Sequence, residues 1–132
     1  MSFLLDTDVA SAYLRGGRVV SSRVLQHTGR LVLSTVSLGE LKVWLYRIKT
    51  AERYRGALQE LLDDCATLPV DDAVADRFGR LSAHLLDAGR PVPTPDLLIA
   101  ATAMVHDLTL VTGNTRHFAG IPDLRIENWL EE

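Results

Sequence analysis

"FLLDTDV", residues 3–9, runs three strand-type apolar residues straight into two acids, Asp6 and Asp8, with Thr7 between them. Ending a buried strand on a carboxylate is costly, because an ionised group taken out of water needs a compensating partner. The stretch sets two expectations. One is a strand over Phe3–Asp6, and the other is a partner for Asp6 that is not solvent.

Working outward, short apolar runs alternate with helical spacing along the whole chain. Helical pieces are predicted at Val9–Leu14 and Ser21–His27 on either side of an "RGGR" turn, with a strand at Leu31–Ser34. Leu38, Leu41, Leu45 and Ile48 recur every three or four positions in Ser37–Ile48, and Ala51–Ala66 repeats the rhythm, which predicts two helices of one hairpin. Cys65 falls in the second stripe with Tyr54, Leu58 and Leu61, so the single cysteine reads as a core thiol without a disulfide partner.

A "TLPV" strand (67–70) then leads to Asp71 or Asp72 as the cap of a fifth helix, marked by Val74, Phe78, Leu81 and Leu85 and ending near Gly89. Beyond the "RPVPTP" loop, Thr94 as N-cap and Pro95 at the first helical position open the helix Asp96–His106. Strands at Leu108–Val111 and Leu124–Ile126 flank a short turn or helix at Thr115–Phe118. Strands separated by helices pair in parallel, so the expected fold is α/β, a central mostly parallel sheet flanked by helices in three α/β/α layers.

With 132 residues, 47% hydrophobic and 23% charged, and no repeat or linker, the chain is expected to be one domain spanning 1–132. No basic leader precedes Asp6, and the longest apolar-rich run, Leu97–Val105, is too short to cross a bilayer, so a cytoplasmic protein without membrane association is expected. A net charge of −3 argues against a nucleic-acid partner unless the acids are concentrated in one place.

In parallel sheets, sites form beyond the carboxyl ends of the strands. Asp6 and Asp8 follow the first strand, Ser34 and Thr35 the second, and Thr112, Gly113 and Asn114 the strand at 108–111. Glu40 lies one turn inside its helix at the border of the apolar stripe, and Asp96 opens a helix whose small same-face residues, Ala100 and Ala103, permit close approach to the strands. Each residue also has a plain structural reading: Asp8 as a helix cap, Asp96 as a first-turn acid, Glu40 as a solvated helix residue and Asn114 as a turn residue. Carboxylates gathered together favour a hard divalent cation. His27, His84, His106 and His117 are scattered, with no ligand pair at helical spacing, so magnesium or manganese suits the site better than zinc. Such sites serve phosphate chemistry.

The ordered set "LLDTDV", "STVSLGEL", "PDLLIAATA", "LTLVTGNTRHF" and "LRIENW" resembles the PIN-domain ribonucleases, and among them the VapC-type toxins of bacterial toxin–antitoxin pairs. The resemblance runs from residue 3 to about 130. It implies a PIN-like fold and Mg²⁺- or Mn²⁺-dependent endonucleolytic cleavage of single-stranded RNA, such as a tRNA or rRNA loop. It also implies a homodimer and a cognate VapB-type antitoxin whose tail fills the groove.

The family's acidic quartet maps onto Asp6, Glu40, Asp96 and Asn114, with Asp6, Asp96 and Glu40 as metal ligands. Asp8, Thr7, Thr112 and Ser34 are auxiliary, the two threonines matching positions that hydrogen-bond the carboxylates or metal waters. Asp107 departs from the pattern by standing where a helix-ending glycine is usual, which implies a strained left-handed residue. Setting aside Asp6, Asp8, Glu40 and Asp96 turns the net charge from −3 into +1. Arg116 is then the first candidate for a phosphate contact, with Lys42 and Arg47 beside it. Arg15, Arg18, Arg23, Lys49 and Arg53 are further candidates to rim the groove, and Trp44 and Tyr46 either line it or are core and interface residues.

Two rivals are suggested by the opening acids, the DxD phosphatases of haloacid dehalogenase type and the receiver domains of response regulators, a signalling module. Both use a late lysine, and this chain has none after Lys49. A third alternative is a catalytically silent PIN-like binding module.

Overall fold

The computed structural model describes residues 2–47 and 51–132. Five strands, β1 (Phe3–Leu5), β2 (Leu31–Ser34), β3 (Cys65–Leu68), β4 (Thr109–Val111) and β5 (Ile126–Glu127), form one sheet in the order β3-β2-β1-β4-β5. Every pairing is parallel, so the sheet is wholly and not mostly parallel among the described residues. The "FLL" strand lies at its centre, in register with Leu31 and Thr109 through Phe3.

Side-chain alternation along the strands divides the core in two. Leu4, Val32 and Leu110 point to one face, against α5 (Asp72–Asp87) and α6 (Thr94–Val105). Phe3, Leu5, Leu31, Leu33 and Val111 point to the other, against α1 (Thr7–Leu14), α2 (Arg18–Gln26), α3 (Thr35–Arg47) and α4 (Ala51–Asp64). A strand clothed on both faces has no polar side, which is why these segments read as unbroken apolar runs. Trp129, fully buried, closes the second core by stacking on His27 and packing against Phe3. No described helix is long and apolar enough to cross a membrane.

Several boundaries differ from the sequence expectation. Helix α4 stops at Asp64, and Cys65 and Ala66 belong to β3, paired with Leu31 and Val32. A stripe at helical spacing carried across this junction because Cys65 still packs against the second core. Burial, reinforced by Asp64, pushes its thiol up to about 12, so it is unreactive at neutral pH. The helix after the Pro-rich loop begins at Thr94, with Pro93 in the cap position and Pro95 inside the first turn. Asp71, not Asp72, caps α5 by accepting from Val74 N at 3.0 Å. Ile48 and Lys49, assigned from the sequence to a helix and to the groove rim, lie outside the described residues.

Helix α6 ends in the left-handed turn that Asp107 implied. Its φ is +55°, and Leu108 N donates to Ala103 O at 2.8 Å across the turn. Arg125 ties the Asp107 carboxylate at 2.9 Å. Beyond β4 come the single turn α7 (Thr115–Phe118) and β5, which begins at Ile126 and not Leu124.

Candidate active site

The end of β1, the start of α1, the first turns of α3 and α6 and the loop after β4 enclose a cleft of about 300 Å³. Asp6, Thr7, Asp8, Glu40, Asp96 and Asn114 all line it, joined by Ser11. Residues up to 108 positions apart in the chain thus meet because three parallel strands end side by side.

Asp6 is 6% exposed and occupies the N-cap of α1, where it accepts from Thr7 N at 2.8 Å. Its other oxygen accepts from the hydroxyl of fully buried Thr112 at 2.8 Å, and Thr112 Oγ1 in turn accepts from Asn114 N at 3.0 Å. These bonds do not neutralise the carboxylate. Burial first, and the charge of Asp8 second, push its pKa up to about 6 despite the opposing bonds from Thr112 and Thr7.

Asp8 does not cap α1. Its Oδ2 accepts from Gly113 N at 3.0 Å, fastening the loop after β4 to the first helix. A Cβ at Gly113 would come within 2.9 Å of that oxygen and collide with Leu130, so a larger residue here would oblige both side chains to shift. Burial raises the Asp8 pKa, offset in part by the N–H groups of Gly113 and Val9.

Glu40 is exposed on the cleft wall, and Thr7 Oγ1 donates to it at 2.7 Å while lying 3.0 Å from Ser37 Oγ. Asp96 sits at the α6 N-terminus with His117 Nδ1 at 3.2 Å from its Oδ2, and the same nitrogen lies 2.8 Å from Asn114 Nδ2. His117 was dismissed from the sequence because helical spacing cannot reveal a contact 21 residues away. Ser11 had a legible signal, standing one helical turn beyond Thr7 and Asp8.

The remaining predicted residues lie elsewhere. Ser34 is fully buried behind the cleft, where its Oγ accepts from Ser37 N at 3.1 Å, so it starts α3 and does not face the site. Arg116 lines a neighbouring cavity. Lys42 and Arg47 do not line the cleft, and the Arg47 guanidinium lies 5.8 Å from the Trp44 ring centre. Trp44 and Tyr46 are exposed, 52% and 76%, and take no part in the core.

The donor set suits a hard cation. Carboxylates and one amide supply oxygens, and Asp8 Oδ1 is buried with no hydrogen-bond partner among the described residues. No three His, Cys, Asp or Glu side chains among the described residues converge on one point. Each carboxylate is held by its own hydrogen bond, so the donors ring the cleft.

Residues 3–124 match the PIN domain family model. The tRNA(fMet)-specific endonuclease VapC of Shigella flexneri is 31% identical over 130 residues, 98% of each chain. Ribonuclease VapC5 of Mycobacterium tuberculosis is 36% identical over 111 residues, covering 83% of this chain and 80% of its own. Among solved structures, DNA-bound VapBC from Salmonella typhimurium superposes with a TM-score of 0.90 at 29% identity, covering 98% of both chains. VapBC-5 from M. tuberculosis, a member of the VapBC family of toxin-antitoxin systems, gives 0.74 at 28% identity over 96% of both. With its central strand ending on a buried acid and its cleft formed where parallel strands end, this chain belongs to the PIN-domain family, on its VapC branch.

Proposed function

We propose that this chain is an endoribonuclease toxin that cuts single-stranded RNA, in a tRNA or rRNA loop, with Mg²⁺ or Mn²⁺ as cofactor. The observation that carries the reading is the convergence of Asp6, Glu40, Asp96 and Asn114 on one cleft in a chain with VapC ribonucleases among its full-length relatives.

Asp6 and Asp96 would hold the cation, with Glu40 joining directly or through water and Asn114 and Asp8 completing the surroundings. When bound, the cation activates a water and stabilises the departing oxygen of the phosphodiester. Thr112 keeps Asp6 aimed into the cleft, and Thr7 orients Glu40 to take the proton of the attacking water. Attack in line with the leaving 3′-oxygen yields 5′-phosphate and 3′-hydroxyl ends. Asp8 holds Gly113 and with it the placement of Asn114.

Arg116 is the first phosphate contact, with Lys42 and Arg47 supporting RNA more distantly. A homodimer and a cognate VapB-type antitoxin complete the proposal, the antitoxin supported by the similar folds of VapBC2 from Rickettsia felis and FitAcB from Neisseria gonorrhoeae. An antitoxin tail bearing a basic side chain would find opposite charge in the cleft.

The test is incubation of a small-RNA pool with purified protein in Mg²⁺, Mn²⁺ or EDTA, with Asp6→Asn alongside. Metal-dependent discrete cuts lost in the variant support the nuclease. Uncut RNA at every metal concentration, bound equally well by both proteins, would identify a silent binding module instead.

A further inference from the structure

Beside the acidic cleft lies a second cavity, of about 390 Å³ and of opposite character. Arg90, Pro91 and Pro93 from the loop before α6 form one side, and Arg116, His117 and Gly120 the other. His117 is the wall between the two, for its ring borders this cavity while its Nδ1 lies 3.2 Å from Asp96 in the cleft.

Among the described residues neither Arg90 nor Arg116 has a side-chain hydrogen bond or ion pair, whereas Arg80 and Arg125 are tied to acids at 2.9 Å. An anion seated between two guanidinium groups on one concavity draws charge-assisted hydrogen bonds from both. The Arg90 guanidinium lies against Gly120, where a Cβ would sit at ordinary contact distance, 3.4 Å from Nη1 and 3.6 Å from Cζ. Pro91 and Pro93 add rigid apolar surface, and the volume is within the range of small-ligand pockets.

We infer that this cavity is a nucleotide subsite of the RNA groove. It takes the phosphate of a nucleotide flanking the scissile bond between Arg90 and Arg116, and that nucleotide's base lies against the Pro91–Pro93 surface. The inference rests on the nuclease reading and assigns Arg90 to substrate binding, a residue that no strand-end rule or motif brings forward. Single-stranded RNA then lies with one phosphate among the carboxylates and the next among the arginines.

The test begins without metal. ¹⁵N-labelled protein in EDTA is titrated with the four nucleoside 5′-monophosphates and, separately, with inorganic phosphate, using the native chain, Arg90→Ala and Arg90→Lys. Arg90 is exposed, so neither change threatens folding. The expected result is shifts confined to the Arg90, Arg116, His117 and Gly120 signals, and at least one nucleotide binding more tightly than phosphate. Affinity should fall about tenfold in Arg90→Ala and less in Arg90→Lys.

In cleavage assays Arg90→Ala should raise KM about tenfold with kcat nearly unchanged. Loss of one phosphate contact should also lower the slope of log KM against log salt by about one. Phosphate binding as tightly as every nucleotide, shifts elsewhere, or an unaltered KM and salt slope would overturn the subsite. Cleavage by the native chain with no nucleotide bound defeats the subsite alone. Nucleotides held at Arg90 by a chain that cuts no RNA defeat the nuclease reading and with it the assignment to a nucleotide flanking a scissile bond, leaving nucleotide binding at this cavity.

Discussion

Strands β1 and β2 lie side by side and both run into a buried polar residue, but the two ends are built differently. At the end of β2, Ser34 is neutral and fully buried, and its oxygen is used by the first turn of α3 at 3.1 Å. At the end of β1, Asp6 receives two hydrogen bonds and is still held about two pH units above an ordinary carboxylate, at about 6. Folding settles the serine and leaves the aspartate in need of positive charge. A buried polar group satisfied by its own helix is structural, and one that folding leaves electrostatically unsatisfied is a candidate for the site.

The strongest way to break this contrast is Asp6→Asn. Cleavage should fall by at least about a hundredfold, measured as kcat/KM on a mapped RNA, as expected for losing a preorganised charge from the reaction centre. Stability should move the other way. Folded Asp6 takes up its proton at about 6 and the unfolded chain at about 3.8, so the folded state binds the proton more readily between those values. The metal-free native chain therefore gains stability as pH falls through 6 toward 4, on the order of 2–3 kcal/mol from this group. Asp6→Asn should be the more stable protein at pH 7 and lack that gain, and Mg²⁺ should raise the melting temperature of the native chain much more than that of the variant. Thermal denaturation across pH, with and without Mg²⁺, checks all three.

Thr112→Val sharpens the contrast by removing the main support of Asp6 while keeping its shape. Loss of the 2.8 Å bond should weaken Mg²⁺ binding and activity about 10- to 100-fold. Isothermal titration of Mg²⁺ against both proteins measures the first effect directly, and an unchanged affinity would show that Thr112 only fills space.

Ser34→Ala tests the other strand end. Removing this cap should cost about 1 kcal/mol in urea denaturation and leave kcat/KM within about twofold. A large catalytic loss at unchanged stability would return Ser34 to the site. The smallest effect is expected at Asp107, far from either end. Asp107→Gly relieves the φ of +55° and gives up only the exposed pair with Arg125, so stability should rise by up to about 1 kcal/mol with activity unchanged.

How much was legible followed from the range of each interaction. The β1, β2 and β4 segments and the α5 cap came from local pattern, because parallel strands buried on both faces are continuous apolar runs and a capping acid stands next to the helix it starts. The junction at Cys65 was misread because a residue facing the same core from a helix or from a strand gives the same apolar signal. Asp8 was ambiguous for a similar reason, since a first-turn acid looks like a cap whether its partner is its own helix or, as here, Gly113 across 105 residues.

The sequence by itself determined that strands and helices alternate, that an acid ends the central strand, and that the quartet stands in PIN-domain order. These depend on neighbours in the chain and on the period of burial. Only the tertiary structure decided which acids are desolvated, that Asp8 secures the loop bearing Asn114, that Ser34 belongs to a helix cap, and that His117 stands between an acidic cleft and an arginine-lined cavity. The physical reason is that charge and desolvation act through space, so a group's partners and its dielectric surroundings exist only after distant strand ends have been brought together.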